Sequence, residues 1–231
     1  MSSFTSSRQE STKPRLSDSS GYEEDVDPSV VPPDTVQRTY SIVNTGSHVN
    51  FRIHDGGSQS PCVYYINNSM FTPGTPDVQL LEGDSRDGPM VAFAKFHNLS
   101  AHVTIGLGDP ASDSVVCEEL HKVSKIAHSE YVFETSENRS GKRRKYIWRR
   151  TVGKNLHANY ACLDGATGNV VAYFLNSGLK SWKKAGKLQV TSNEGVRFER
   201  LLLVTLMAIR EKESRNAWYV GGFVAGTAGP H

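Results

Sequence analysis

The sequence predicts a mainly β (α+β) protein, a closed antiparallel β-barrel of about twelve strands around a central hydrophobic C-terminal helix. Three observations predict it. Between Thr35 and Thr191, short alternating apolar segments recur, separated by turns of Gly, Pro, Asn and Asp. Near the C-terminus, the run from Arg200 to Arg210 (Arg-Leu-Leu-Leu-Val-Thr-Leu-Met-Ala-Ile-Arg) is apolar on every helical face. A helix of that kind is buried rather than laid on a surface. Finally, many antiparallel strands must manage their edges, and closure does so. A barrel this large has an interior too wide for its own side chains, and the apolar helix is what would fill it.

Taken in order, residues 1–34 are rich in Ser, Thr, Pro and acids and nearly lack large apolar residues, so they are expected to be disordered. Ser20-Gly21-Tyr22-Glu23 places an acid three residues after a serine, a pattern that suits an acidophilic kinase. Pro32-Pro33 closes the tail, and the folded domain is expected over 35–218. Its strands are expected at Val36–Val43, Val49–Ile53, Cys62–Ile66, Val78–Leu81, Met90–Phe96 and Ala101–Leu107. Val115–His121, Tyr131–Thr135, Lys145–Arg150, Tyr160–Leu163, Val170–Leu175 and Gly186–Thr191 continue the series. In the sixth segment His102, Thr104 and Gly106 share one face, opposite Val103 and Ile105. Ser140-Gly141 and Asp164-Gly165-Ala166-Thr167-Gly168 read as hairpin turns. Thr191 followed by Glu194 has capping-box spacing, which predicts a helix from Glu194 to about Ser214, roughly 30 Å long. Residues 219–231, rich in Gly and small residues, are expected to fray.

Charge is unevenly spread. The net charge of +2 combines a tail of −4 over residues 1–34 with a remainder of +6. Cys62, Cys117 and Cys162 are an odd set without CxxC spacing, which excludes a disulfide framework and a zinc-thiolate site and predicts buried free thiols. There is no N-terminal apolar segment and no stretch of transmembrane length, so a cytoplasmic setting is expected, with peripheral attachment at the plasma membrane as its extension. The sequons at Asn67, Asn98 and Asn138 are then chance matches.

The candidate site is basic. Arg139, Lys142, Arg143, Arg144, Lys145, Arg149, Arg150 and Lys154 fall in a stretch, Asn138 to Leu163, that holds no acid. The Ser140-Gly141 turn puts Arg139 and Lys142 to Lys145 at a hairpin tip. Lys180, Lys183, Lys184 and Lys187 surround Trp182 as a second group. Both point to an anionic surface, phosphoinositide headgroups or an acidic leaflet, with Arg139, Lys142, Arg143, Arg144, Lys145, Lys183 and Lys184 as binding residues. The bland alternative is a solvated basic hairpin with Trp148 packed inside. A protein-interaction scaffold regulated by its acidic, phosphorylatable tail is the other functional reading. No nucleic-acid module is present. His121 and His128 with Glu118 and Glu119 can be drawn as a metal cluster, but HExxH and paired Cys/His spacings are absent, so no metal and no cofactor is expected. No GxSxG, P-loop or nucleophile–base pair appears, and no enzyme is expected.

The order Tyr131-Val132-Phe133, Lys145-Tyr146-Ile147-Trp148-Arg149, Leu163-Asp164, Val170-Val171-Ala172-Tyr173-Phe174, Gly186-Lys187-Leu188 and the terminal helix with Leu202, Val204, Thr205 and Arg210 resembles the fungal branch of tubby C-terminal-like domains. That superfamily also includes the plant LURP-one-related proteins and the phospholipid scramblases. The resemblance runs from about Tyr40 to Trp218. It implies a closed barrel around a hydrophobic helix and no shared catalytic residues. Tubby itself binds phosphoinositides through basic residues, which implies that ligand class here, although no residue-level motif carries those positions over. Scramblase-like lipid movement is disfavoured, because charged residues follow the helix and no extended anchor does.

Overall fold

The computed structural model describes residues 35–47, 49–69, 72–97, 100, 102–113, 115–123, 130–151, 159–177 and 183–225, with side chains as far as 217. The acidic tail 1–34, Lys154, Lys180, Trp182, His128 and residues 226–231 lie outside this set. Twelve strands are present: β1 (Arg38–Asn44), β2 (Phe51–Asp55), β3 (Cys62–Asn68), β4 (Val78–Glu82), β5 (Met90–Phe96), β6 (Val103–Leu107), β7 (Val116–Lys122), β8 (Glu130–Thr135), β9 (Arg144–Thr151), β10 (Asn159–Asp164), β11 (Val170–Asn176) and β12 (Lys184–Val190). Each pairs antiparallel with its sequence neighbours, and β1 pairs with β12, so the sheet closes. One helix, α1 (Val196–Ala225), follows. Every predicted strand is found, displaced by a few residues at most.

Strand alternation builds the interior. Residues directly opposite each other on paired strands share a face, so the core of Ile42, Ile53, Ile66, Leu80, Ile105, Leu120 and their neighbours is one continuous inner wall. From Leu201 to Ile209 each residue of α1 is at most 1% exposed. Burial on all faces is what the unbroken apolar run required.

The helix fills the barrel interior, as expected. It lies nearest β4, β5 and β6. There the middle of β5 presents Ala92 and Ala94 inward, and these small side chains let the helix backbone come close. The opposite wall carries Tyr131, Phe133, Tyr146, Trp148, Tyr160 and Phe174, whose volume fills the wider side. Trp148 Nε1 donates to Thr205 Oγ1 at 2.9 Å, and Thr205 Oγ1 donates back to the Leu201 carbonyl at 2.7 Å, so the one polar group in the run is satisfied.

The registers sort the strand ends into two rims. Arg38, Asp55, Thr135, Arg144 and Asp164 lie at the rim where α1 enters, whereas Asn44, Phe51, Thr151, Asn159, Asn176 and Lys184 lie at the rim where it leaves. At the entry rim Glu199, in the first turn of α1, accepts from Tyr40 Oη at 2.5 Å and Arg38 Nη1 at 3.0 Å. At the exit rim Arg215 bonds Asp77 at 2.6 Å and Glu211 at 2.8 Å, and Tyr160 donates to Glu213. These contacts hold the helix ends to the barrel.

The helix boundaries differ from the prediction. Gly195 adopts φ +99°, a left-handed conformation that cannot continue a helix, so α1 starts at Val196 and its first bond runs from Glu199 N–H to the Gly195 carbonyl at 3.1 Å. The Thr191–Glu194 capping box does not form. Thr191 Oγ1 donates to the Val170 carbonyl instead, and Glu194 accepts from the Arg139 N–H. The helix also runs past Ser214 into the stretch expected to fray, reaching Ala225.

Arg210 is the strained member of the interior. Although the residue as a whole keeps partial exposure, Nε and Nη1 are sealed and have no hydrogen-bond partner among the described residues. The guanidinium stacks 4.7 Å from the Phe174 ring centroid, and burial lowers its pKa to about 10. A buried charge with unmade hydrogen bonds costs stability that an apolar isostere does not. Arg210→Met is therefore expected to raise stability by about 1–3 kcal/mol, read as a higher midpoint in urea; a lower midpoint would show that the guanidinium contributes net stability.

Candidate functional site

The connection between β8 and β9 is a preformed tip. Gly141 has φ +62°, and its N–H donates to the Asn138 carbonyl at 2.9 Å. The Asn138 side chain, 9% exposed, donates to the Lys142 carbonyl at 2.7 Å and accepts from Ser140 Oγ at 2.6 Å. This asparagine organises the turn from inside, as asparagine does in turns generally.

The basic residues on this hairpin divide into two groups. Arg143 donates through Nη1 and Nη2 to Glu118 at 3.0 and 2.8 Å, and through Nε to Glu134 at 3.1 Å. Both partners raise its pKa, the hydrogen bond to Glu118 most. Arg144 pairs with Asp164 at 3.2 Å, and Asp164 Oδ1 also accepts from the Ala166 N–H of the next hairpin. Arg139, Lys142 and Lys145 are exposed and hold no ion pair among the described residues. Lys183 and Lys184 are exposed as well but sit at the other rim, where the Asn44 N–H bonds the Lys183 carbonyl. The seven predicted binding residues thus fall into a tip of three exposed cations, two structural arginines beneath it, and two lysines at the far end of the barrel.

Arg143 closes a seam. The β7–β8 ladder is limited to His121↔Val132 and Lys122↔Tyr131, whereas every other neighbouring pair runs four residues or more. Above those two pairs the strands separate into a cleft of about 460 Å³ lined by Cys117, Glu118, Glu119, His121, Val132, Phe133, Glu134 and Arg143. Glu118 is 8% exposed and faces inward, opposite the core residue Ile105. Arg143 reaches from β8–β9 to this acid and so bridges the open part of the seam. Arg143 is thus a bridge rather than the binding cation that its sequence context predicts, because the register gap between β7 and β8 leaves no local signal.

The metal cluster that the sequence allowed to be drawn does not assemble as drawn, and one thiol expectation changes. Adjacent residues on a strand point to opposite faces, so Glu118 and Glu119 cannot serve one metal cluster, and His128 lies outside the described residues. Instead Glu119 and His121 on the outer face of β7 meet His102, beside the start of β6. The same alternation leaves Cys117 exposed, not buried, whereas Cys162 is buried and Cys62 partly so. Burial, then the Glu119 and Glu118 carboxylates, push the Cys117 thiol above its ordinary pKa, which disfavours the nucleophilic thiolate.

No helix of the described residues is long and apolar enough to cross a membrane. No family model, curated protein or solved structure matches the chain.

Proposed function

We propose that the chain is a non-enzymatic binding module that docks on anionic, phosphoinositide-containing membrane surface through the β8–β9 tip. The observation that carries this reading is the division of labour on the hairpin. Ion pairs to Glu118, Glu134 and Asp164 occupy Arg143 and Arg144 and hold the tip in place, while Arg139, Lys142 and Lys145 remain exposed on the same hairpin. Lys145 faces Glu134 across the ladder, and Arg143 already engages that acid. The barrel with its enclosed helix agrees with the architecture that the tubby-like resemblance implies, and the ligand class follows that analogy.

Three cations near an anionic leaflet contribute about 1 kcal/mol each, so binding is weak alone and strongly salt-dependent. Arg139→Glu, Lys142→Glu and Lys145→Glu together are expected to lower partition onto phosphoinositide-containing vesicles by about 100-fold or more. Lys183→Glu with Lys184→Glu, at the opposite rim, is expected to leave it within about twofold, since the far end of the barrel lies well beyond a Debye length of about 8 Å. Sedimentation with vesicles of phosphatidylcholine, with and without phosphoinositide, at physiological salt measures both. Equal partition onto the two vesicle types contradicts the proposal. Should deletion of residues 1–34 alter binding of a protein partner while vesicle partition stays at background, the tail-regulated scaffold is the better reading.

A further inference from the structure

The outer face of β6 and β7 carries a cluster that membrane docking does not use. We propose that His102, Glu119 and His121 form a binding site for a divalent transition-metal ion of the zinc class, with one coordination position open to the neighbouring cleft. One donor atom from each of the three residues lies within 4.8 Å of the others. His102 Nδ1 and His121 Nδ1 are 2.5 Å apart in a hydrogen bond, with their rings edge to face, so the two nitrogens face each other across the gap that an ion replacing the shared proton would enter. Two imidazole nitrogens and a carboxylate are a donor set that suits zinc, leaving a fourth tetrahedral position free. With metal–nitrogen bonds of about 2.0–2.1 Å, tetrahedral ligands stand about 3.3 Å apart, so the histidine pair must open by less than about 1 Å, within reach of side-chain rotation.

The backbone places these donors. Thr104 pairs with Glu119 and Val103 with Leu120, which carries His102 opposite His121 on the same face. Glu119 and His121, fixed on a paired strand, are better held than donors on loops, and His102 directly adjoins β6. A supporting layer is present too. Thr104 Oγ1 donates to Glu119 Oε1 at 2.8 Å and lies 2.7 Å from His97 Nε2, which orients the carboxylate as outer partners orient metal ligands. Lys212 Nζ donates to the Ser100 carbonyl at 3.1 Å, anchoring the segment that carries His102. Lys122 turns its ammonium toward the Tyr131 ring on the inner side of the barrel, away from the site. His121 and Glu119 also line the seam cleft, which gives water or a small anionic ligand access to the open position.

The test uses the full chain stripped of metal with a chelator, then titrated with Zn²⁺ by calorimetry and with Co²⁺ by visible absorption. One saturable equivalent is expected, with the intense d–d bands of low-symmetry four- or five-coordinate Co²⁺. His102→Ala, Glu119→Ala and His121→Ala are each expected to weaken binding by at least 100-fold, and Thr104→Val by about 10-fold through loss of the outer hydrogen bond. His54→Ala, whose Nδ1 contacts the Ser60 carbonyl elsewhere on the barrel, should leave the isotherm unchanged. All the substituted side chains lie on the outside of the sheet, so circular dichroism should stay that of the parent. Absence of saturable binding overturns the site, as does a parental isotherm in His121→Ala.

Discussion

Leu206→Asp is expected to leave the chain unfolded at 25 °C. Leu206 is fully buried, on a helix enclosed on every side by strands. Arg210, one helical turn on, is the cation that an aspartate there could reach, but moving a carboxylate from water into this apolar interior still costs several kcal/mol. Loss of the leucine packing adds about 2–5 kcal/mol, the cost of Leu→Ala at well-packed sites. Together these approach or exceed the whole stability of a domain, about 5–15 kcal/mol. The graded variant Leu206→Ala should retain the fold and lower stability by about 2–5 kcal/mol. Chemical denaturation followed by circular dichroism measures both. A folded Leu206→Asp with a parental midpoint would mean that the helix is not enclosed.

Trp148 is the second position of large effect. It is the largest fully buried side chain and its indole N–H bonds the single hydroxyl of the apolar helix run. Trp148→Ala should cost about 3–5 kcal/mol, mainly from the cavity left in the aromatic wall. Trp148→Phe separates packing from hydrogen bonding. In a double-mutant cycle with Thr205→Val, the pair is expected to show a coupling of about 1 kcal/mol. Additive single costs, with no coupling, would show that the hydrogen bond adds nothing beyond packing. Because Thr205 keeps its bond to the Leu201 carbonyl in Trp148→Phe, that variant leaves no orphaned hydroxyl.

The fold was legible because the signals that specify it are local. Period-two alternation located all twelve strands, and the apolar run from Leu201 to Ile209 located the enclosed helix. Alternation also placed His102 and Thr104 on one face before any pairing was known. The helix start was misread for a physical reason. The Thr191–Glu194 spacing is a local pattern, but Thr191 and Glu194 are claimed by Val170 and Arg139, partners that only the closed barrel brings near.

The candidate site was legible only in part. The turn at Ser140-Gly141 and the exposure of Arg139 and Lys142 followed from local chemistry. Which arginines would be spent on ion pairs depended on acids distant in sequence, Glu118 and Asp164, and on a ladder gap between β7 and β8. The separation of Lys183 and Lys184 from the hairpin tip likewise depended on strand direction around the whole barrel. The His102–Glu119–His121 cluster needed the β6–β7 register, because a one-residue slip would turn Glu119 inward.

Everything from the rigid tip to the outer-face cluster requires that the helix be the most protected element of the molecule. Native-state hydrogen exchange on the full chain tests this directly. The amides of Leu202 to Ile209 should exchange only through global unfolding, with a free energy equal to that from denaturant and no faster than the slowest strand amides. Exchange of those amides through a local opening, well below the global free energy, would contradict the account, because a helix that opens by itself is not walled in by twelve strands.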